Sequence, residues 1–299
     1  MALLIITTIL WAFSFSLIGE YLAGSVDSYF SVLMRVGLAA LVFLPFLRTR
    51  GQSPRTIVLY MLVGAMQLGI MYLLAFRAYI YLTVSEFLLF TVFTPLYITL
   101  IYDLLSGRKL RWGYLLSAAL AVLGAAIIRY DKVSDHFWTG LLLVQLSNLC
   151  FAIGMVGYKR LMEVRPMPQH NAFAWFYVGA FIVAVAAWFM LGNPQKLPTT
   201  TLQWSVLVWL GVVASGLGYF MWNYGATQVD AGTLGIMNNV HVPAGLLVNL
   251  AIWQEQPHWP SFISGALVIL ASLWVHRRWV APHSGQTAGD RRRGSAQSE

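Results

Sequence analysis

Cutting the chain at its charged residues leaves ten long stretches with few or no charges: 1–19, 36–47, 56–76, 87–102, 112–128, 136–158, 166–195, 197–229, 231–254 and 256–276. With its flanks, each supplies the ~20 apolar residues that carry a helix across a bilayer. The pattern predicts transmembrane helices over approximately 2–23, 29–47, 57–79, 83–103, 112–129, 138–158, 171–191, 204–226, 230–252 and 260–280. Short polar loops separate them, as at Gly24 to Ser28 and Gly51 to Pro54. The first apolar run starts at Ala2 with no basic segment before it, and further spans follow at once. It therefore reads as an uncleaved first helix.

Composition agrees with this and removes whole classes of function. Of 299 residues, 59% are hydrophobic and 10% charged, against ~25% charged in soluble globular chains. Ten spans consume roughly 200 positions, which leaves no room for an extramembrane domain. The single Cys150 lies in an apolar stretch, so neither a disulfide framework nor a zinc site is available. The net charge of +8 takes its meaning from where the bases sit. Arg48, Arg50, Arg55, Arg108, Lys109, Arg111, Lys159, Arg160, Arg165, Arg277, Arg278, Arg291, Arg292 and Arg293, 14 of the 19 bases, fall on one side of the ten predicted spans. Arg129, Lys132 and Lys196 fall on the other, and Arg35 and Arg77 lie within or at the ends of spans. Because basic loops stay in the cytoplasm, both termini are expected there. These bases flank helices without interleaved stacking aromatics, so no nucleic-acid partner is expected. The polar tail 281–299 reads as a disordered cytoplasmic segment.

A repeat emerges at an offset of 148 residues. Pro95 meets Pro243, and residues 81–101 (YLTVSEFLLFTVFTPLYITLI) lie without a gap against 229–249 (VDAGTLGIMNNVHVPAGLLVN). Upstream, Phe76-Arg77-Ala78 meets Tyr224-Gly225-Ala226; downstream, Ala118-Ala119-Leu120 meets Ala266-Leu267-Val268. The halves 1–133 and 134–280 each hold five spans, an odd number, so the second half enters the membrane with opposite polarity. That is an inverted repeat, the design by which secondary transporters build alternating access around a midplane site.

The chain at this point resembles the ten-helix, two-repeat EamA-type members of the drug/metabolite transporter superfamily over about residues 1–280. The resemblance rests on Leu10-Trp11-Ala12-Phe13-Ser14-Phe15, Cys150-Phe151-Ala152, the Tyr-x-Ala at 224–226, and the paired Pro95 and Pro243. The stretches MALLIITTILWAFSFS, VDSYF, FLPFLRTRG, RPMPQHNAFAWFY and VDAGTLGIMNN are similar to the enterobacterial biotin transporters within that superfamily. The resemblance implies biotin as substrate and uptake across the bacterial inner membrane. It also implies that spans three, four, eight and nine line the cavity.

The chemistry-bearing residues are few. No G-x-x-x-x-G-K-[ST], H-E-x-x-H or G-x-S-x-G motif occurs, so no ATP-driven pump, no enzyme, no cofactor and no metal are expected. Ionisable groups inside a membrane are costly unless paired or wetted, and four fall in the outer half of the spans: Glu20, Arg35, Arg77 and Glu86. They form a charge network, or one arginine receives a substrate carboxylate through its planar fork. Arg77 is preferred over Arg35 because it lies on span three. Its repeat partner is Gly225 and that of Glu86 is Leu234, an asymmetry suited to an asymmetric ligand.

Near the midplane lie Trp11 and Ser14, Gln67, Gln145 and Asn148, and Asn238, Asn239 and His241. Such groups hydrogen-bond between helices or to substrate, and Asn and Gln amides complement the donors and carbonyl of a ureido ring. His241 is either a neutral hydrogen-bonded side chain or a proton carrier. Pro95 and Pro243 break their helices, each freeing a carbonyl one turn earlier. Tyr72, Tyr219 and Trp222 are the deep aromatics expected to stack on a ligand, whereas Trp138, Trp204, Trp259 and Trp279 belong to an interfacial belt. The expectation is a secondary transporter importing a small carboxylated metabolite, in contact with the lipid bilayer and with no obligate protein partner. An exporter of amino acids or related metabolites is the alternative, and a membrane scaffold or channel subunit the alternative of another class.

Overall fold

The computed structural model describes residues 2–105, 120, 123, 135–229, 237–238, 244–254, 259–260, 263–264, 267, 270–271 and 274. Among the described residues every regular element is helical and none is a strand. The helices are α1 (Ala2–Tyr21), α2 (Ser28–Phe43), α3 (Pro54–Gly64), α4 (Met71–Ala78), α5 (Val84–Thr91), α6 (Thr94–Leu105), α7 (Asp135–Val164), α8 (Gln169–Leu191), α9 (Thr201–Trp209) and α10 (Gly218–Thr227). A π segment, Ala65–Ile70, joins α3 to α4, and another, Leu210–Leu217, joins α9 to α10. A third covers Asn249–Trp253.

Seven of these runs are long and apolar enough to cross a membrane: Ala2–Tyr21, Ser28–Phe46, Pro54–Ala78, Val84–Tyr102, Phe137–Val164, Gln169–Leu191 and Thr201–Thr227. They match seven of the ten expected spans; a shorter apolar helix, Ala244–Trp253, falls in the ninth. The fifth and tenth spans lie largely outside the described residues, as does the tail 281–299.

The helix starts follow local chemistry. Asp27 caps α2 by accepting from the Phe30 N–H at 2.8 Å, and Ser53 caps α3 ahead of Pro54. Thr83 with Glu86, and Thr200 with Gln203, form reciprocal capping boxes, which satisfy donors that a helix start leaves open. The left-handed backbone at Gly24 and Gly51 (φ +74° and +80°) turns the chain at opposite ends of α2.

Two compact units emerge. One comprises Met1–Pro95 with Ser134–Gln256, the other Leu96–Val133 with Pro257–Glu299. In the second, Leu100 packs on Leu96. The first unit draws helices from both halves of the sequence. There, Ser28 Oγ donates to the Phe76 carbonyl at 3.4 Å and Gln203 Nε2 to the Tyr21 carbonyl at 3.4 Å, while Arg165 Nη1 donates to Thr56 Oγ1 at 3.2 Å. The run Pro54–Ala78 thus ends where Thr201–Thr227 begins, and the two are antiparallel. Large apolar side chains such as Leu41, Leu62, Ile182 and Phe189 face outward, as a hydrocarbon solvent permits. The polar groups Arg35, Gln67, Ser215 and Asn223 are buried inside.

Candidate functional site: an aromatic cavity with a buried arginine

The first unit holds a cavity lined from α1, α2, α4, α5, α7 and α10. Much of its lining is aromatic. Trp11 packs against Tyr219 with ring centroids 4.6 Å apart, Tyr219 meets Tyr72 edge-on at 5.7 Å, and Phe151 stands edge-on to both Trp11 and Tyr219. Further along, Tyr79 stacks on Phe87 at 4.2 Å, and Phe15 closes on Phe87 at 5.9 Å. Trp11 is held by its indole N–H, which donates to the Ala214 carbonyl at 3.0 Å. That carbonyl lies in the second π segment, where the wider turn loosens the regular ladder.

One wall is cationic. The buried face of α2 runs through Ser28, Ser31, Arg35 and Ala39, spacings of three and four that share one side of a helix. Arg35 is 3% exposed and lines the cavity. Its Nε donates to Ser215 Oγ at 2.7 Å, and its guanidinium carbon sits 4.3 Å from the Tyr72 ring centroid and 5.8 Å from that of Phe76. Tyr72 Oη and Ser215 Oγ are 2.9 Å apart, and Tyr177 Oη donates to the Ser215 carbonyl at 2.6 Å. Among the described residues, no carboxylate lies within ion-pair distance of Arg35.

The amide wall is built around a helix break. Pro95 lacks the N–H that would reach Thr91, and the Thr94 hydroxyl takes that carbonyl instead at 2.7 Å. The Phe90 carbonyl accepts from Asn148 Nδ2 at 2.9 Å and from Gln145 Nε2 at 3.3 Å. Ser147 Oγ donates to the Met71 carbonyl at 3.1 Å. Asn238, 1% exposed, lines the cavity with Nδ2 unpartnered, as is the buried hydroxyl of Tyr79.

The cavity brings together Trp11, Ser14, Arg35, Tyr72, Asn148, Tyr219 and Asn238 of the residues singled out in the sequence. Three others stand off its lining. Trp222 backs Trp11 at 5.0 Å and donates to Met155 Sδ at 3.3 Å. Gln67 and Asn223 exchange amide hydrogen bonds at 3.1 and 3.4 Å. Gln145 braces Asn148 at 3.4 Å.

The preferred arginine is also off the lining. The buried side of α4 carries Met71, Tyr72, Ala75 and Phe76. Residue 77 is rotated by ~100° or more from each of these around the helix. Arg77 is half-buried, with its guanidinium carbon 5.9 Å from the Tyr29 ring centroid and, among the described residues, no carboxylate within ion-pair distance. Glu86 completes the capping box with Thr83, and Glu20 is exposed near the end of α1. The expected pairing of these two arginines with these two acids is therefore absent among the described residues. Asn239, His241 and Pro243 lie outside them.

Sequence reasoning missed Ser215, Ser147, Asn223 and Tyr79. A signal for Ser215 was present: at the 148-residue offset it is the partner of Gln67, and the two π segments occupy overlapping repeat positions.

Together these features define an all-helical, multi-span membrane protein with an aromatic-lined interior cavity. The chain belongs to the EamA-like transporter family, whose profile matches residues 1–130 and again 138–277. It is 82% identical over 299 residues to a biotin transporter of Escherichia coli (strain K12), covering 100% of both chains. To a probable biotin transporter of Pseudomonas aeruginosa it is 56% identical, over 93% of this chain and 97% of that one. A solved crystal structure only 17% identical shares the fold, with a TM-score of 0.63 over 92% of this chain and 95% of its own.

Proposed function

We propose that this chain is a biotin transporter of the bacterial inner membrane, importing its substrate by alternating access between two inverted five-helix repeats. The observation that carries the reading is the 82% identity, along the full length of both chains, to a protein named a biotin transporter. The cavity fits that substrate class: aromatic rings suit a compact bicycle, buried amides suit a ureido group, and a cationic wall suits a carboxylate.

Ten spans divided as 1–133 and 134–280 are supported by the two successive matches of the family profile. The antiparallel course of the two π-containing spans points the same way. An inside orientation for both termini and the tail 281–299 follows from the basic loops. Arg48, at whose backbone Asn171 and Trp175 converge, shares its end of the unit with Arg165 and Lys159. This end is closed. Tyr60 donates to the Arg165 carbonyl at 3.1 Å, Tyr158 packs edge-on to Tyr60 and Phe173, and Lys159 Nζ donates to the Ala226 and Val229 carbonyls at 3.2 and 3.0 Å. Delivery to the cytoplasm requires these contacts to part while the opposite end closes.

The test is uptake of labelled biotin by cells unable to synthesise it, with and without this gene, followed by counterflow with the purified chain in liposomes. The expected result is gene-dependent accumulation with trans-stimulation by unlabelled biotin and no competition by amino acids. A channel gives no trans-stimulation, a scaffold gives no accumulation, and an amino-acid exporter responds to amino acids instead.

A further inference from the structure

We infer that Arg35 is the receptor for the substrate's carboxylate, with the amides of Asn148 and Asn238 facing the ureido ring, so that biotin occupies the cavity in one orientation. The inference rests on the functional reading above and deepens it by assigning each end of the ligand.

Burying a guanidinium without a counter-charge is costly, and a buried cation is stable only with compensating partners. Arg35 is 3% exposed, with Nε donating to Ser215 and its guanidinium against Tyr72, and among the described residues no carboxylate lies within ion-pair distance of it. Arg35 lines the cavity, and the terminal nitrogens of a guanidinium are a pair that meets a carboxylate in a two-pronged contact. The arginine is also held in position. Tyr72 supports the face of the guanidinium at 4.3 Å, Ser215 pins Nε, and Tyr177 pins the backbone of Ser215. A preorganised fork of this kind binds an anion without a further ordering cost. A neutral ligand would leave the charge uncompensated.

A second, independent observation concerns the amides. Asn238 Nδ2 is buried on the same cavity with no partner, and an unsatisfied buried donor is itself unfavourable. A ureido carbonyl offers the missing acceptor, and its N–H groups can use the amide oxygens of Asn148 and Asn238. Arg35 comes from α2, with partners on α4 and the second π segment, whereas Asn148 comes from α7 beside the break at Pro95. The charge and the amides are thus carried by different elements.

The test uses the full-length purified protein and two probes, biotin and biotinamide, in which a neutral amide replaces the carboxylate. The wild-type chain is expected to bind biotin more tightly than biotinamide by roughly ten- to a hundredfold, the range for charged hydrogen bonds. In Arg35→Gln the affinity for biotin should fall to that for biotinamide, while binding of biotinamide itself is unchanged; a residue needed only for folding would weaken both. Arg35→Lys should restore part of the preference. Ser215→Ala, which frees Nε, should narrow it. A wild-type chain that binds both probes equally overturns the inference, as does Arg35→Gln that keeps the wild-type preference. Loss of preference in Arg77→Gln with retention in Arg35→Gln returns the role to Arg77. If Arg35→Gln binds neither probe, Ser215→Ala decides: a narrowed preference supports the inference and an unchanged one overturns it. A wild-type chain that neither binds nor moves biotin overturns the transporter reading and this inference with it, and is distinguished by that from every other result.

Discussion

At the scale of single residues, the interior shows what a polar side chain does when water is absent. Gln67 and Asn223, both 0% exposed, satisfy each other's amides away from the cavity. Gln67→Ala is expected to destabilise the protein by ~1–3 kcal/mol, because Asn223 is left buried and unpaired. Replacing both by leucine should recover part of that loss, since two apolar groups ask for no partner. Thermal unfolding of the purified variants measures the stability, and biotin affinity should stay at the wild-type value in each folded variant. A large loss of affinity in the double leucine variant would move the pair into the binding site.

At the scale of elements, helix packing depends on glycine at one crossing. A Cβ on Gly64 would run into the backbone carbonyl of Phe176, and one on Gly179 into that of Met61, so α3 and α8 touch backbone to backbone. Small residues permit such approach, and in hydrocarbon that packing holds helices together. Gly64→Ala and Gly179→Ala are each expected to cost ~1–3 kcal/mol as the helices are forced apart. A lowered Tm and reduced yield in the membrane would show it. Gly51→Ala is the comparison: no atom lies within 4 Å of its Cβ, and the cost is limited to the positive φ of +80°, about 1–2 kcal/mol. Equal effects at Gly51 and Gly64 would argue against the backbone-contact explanation. The π segments act at the same scale. They place Gln67 and Ser215 at related positions of two antiparallel spans, yet one joins an amide pair while the other serves Arg35.

At the scale of the whole molecule, charge sets orientation. With 14 of 19 bases on one side of the predicted spans, a reporter fused after Val280 is expected to be active only if it works in the cytoplasm. Activity of a periplasmic reporter at that junction would overturn the orientation, and with an N-terminus shown to be cytoplasmic it would overturn the ten-span inverted repeat as well, since two halves of five spans place both termini on the same side.

Seven of the ten expected spans, with their boundaries to within several residues, and the helix break at Pro95 were legible because they are local. Length, charge density and a missing N–H are properties of a segment, whatever packs against it. Those seven spans recur as long apolar helices among the described residues, and seven of the singled-out side chains share one cavity. What the sequence could not decide is which way each helix is turned and what stands opposite. Arg35 and Arg77 look alike as charges in apolar runs. One lies on the stripe of α2 that faces Ser215 and Tyr72, and the other is rotated off the buried side of α4. Ser215 is an ordinary small residue until Arg35, 180 positions away, reaches it. Burial and partnership are properties of pairs of helices, so the identity of the buried cation in the cavity came only with the tertiary structure.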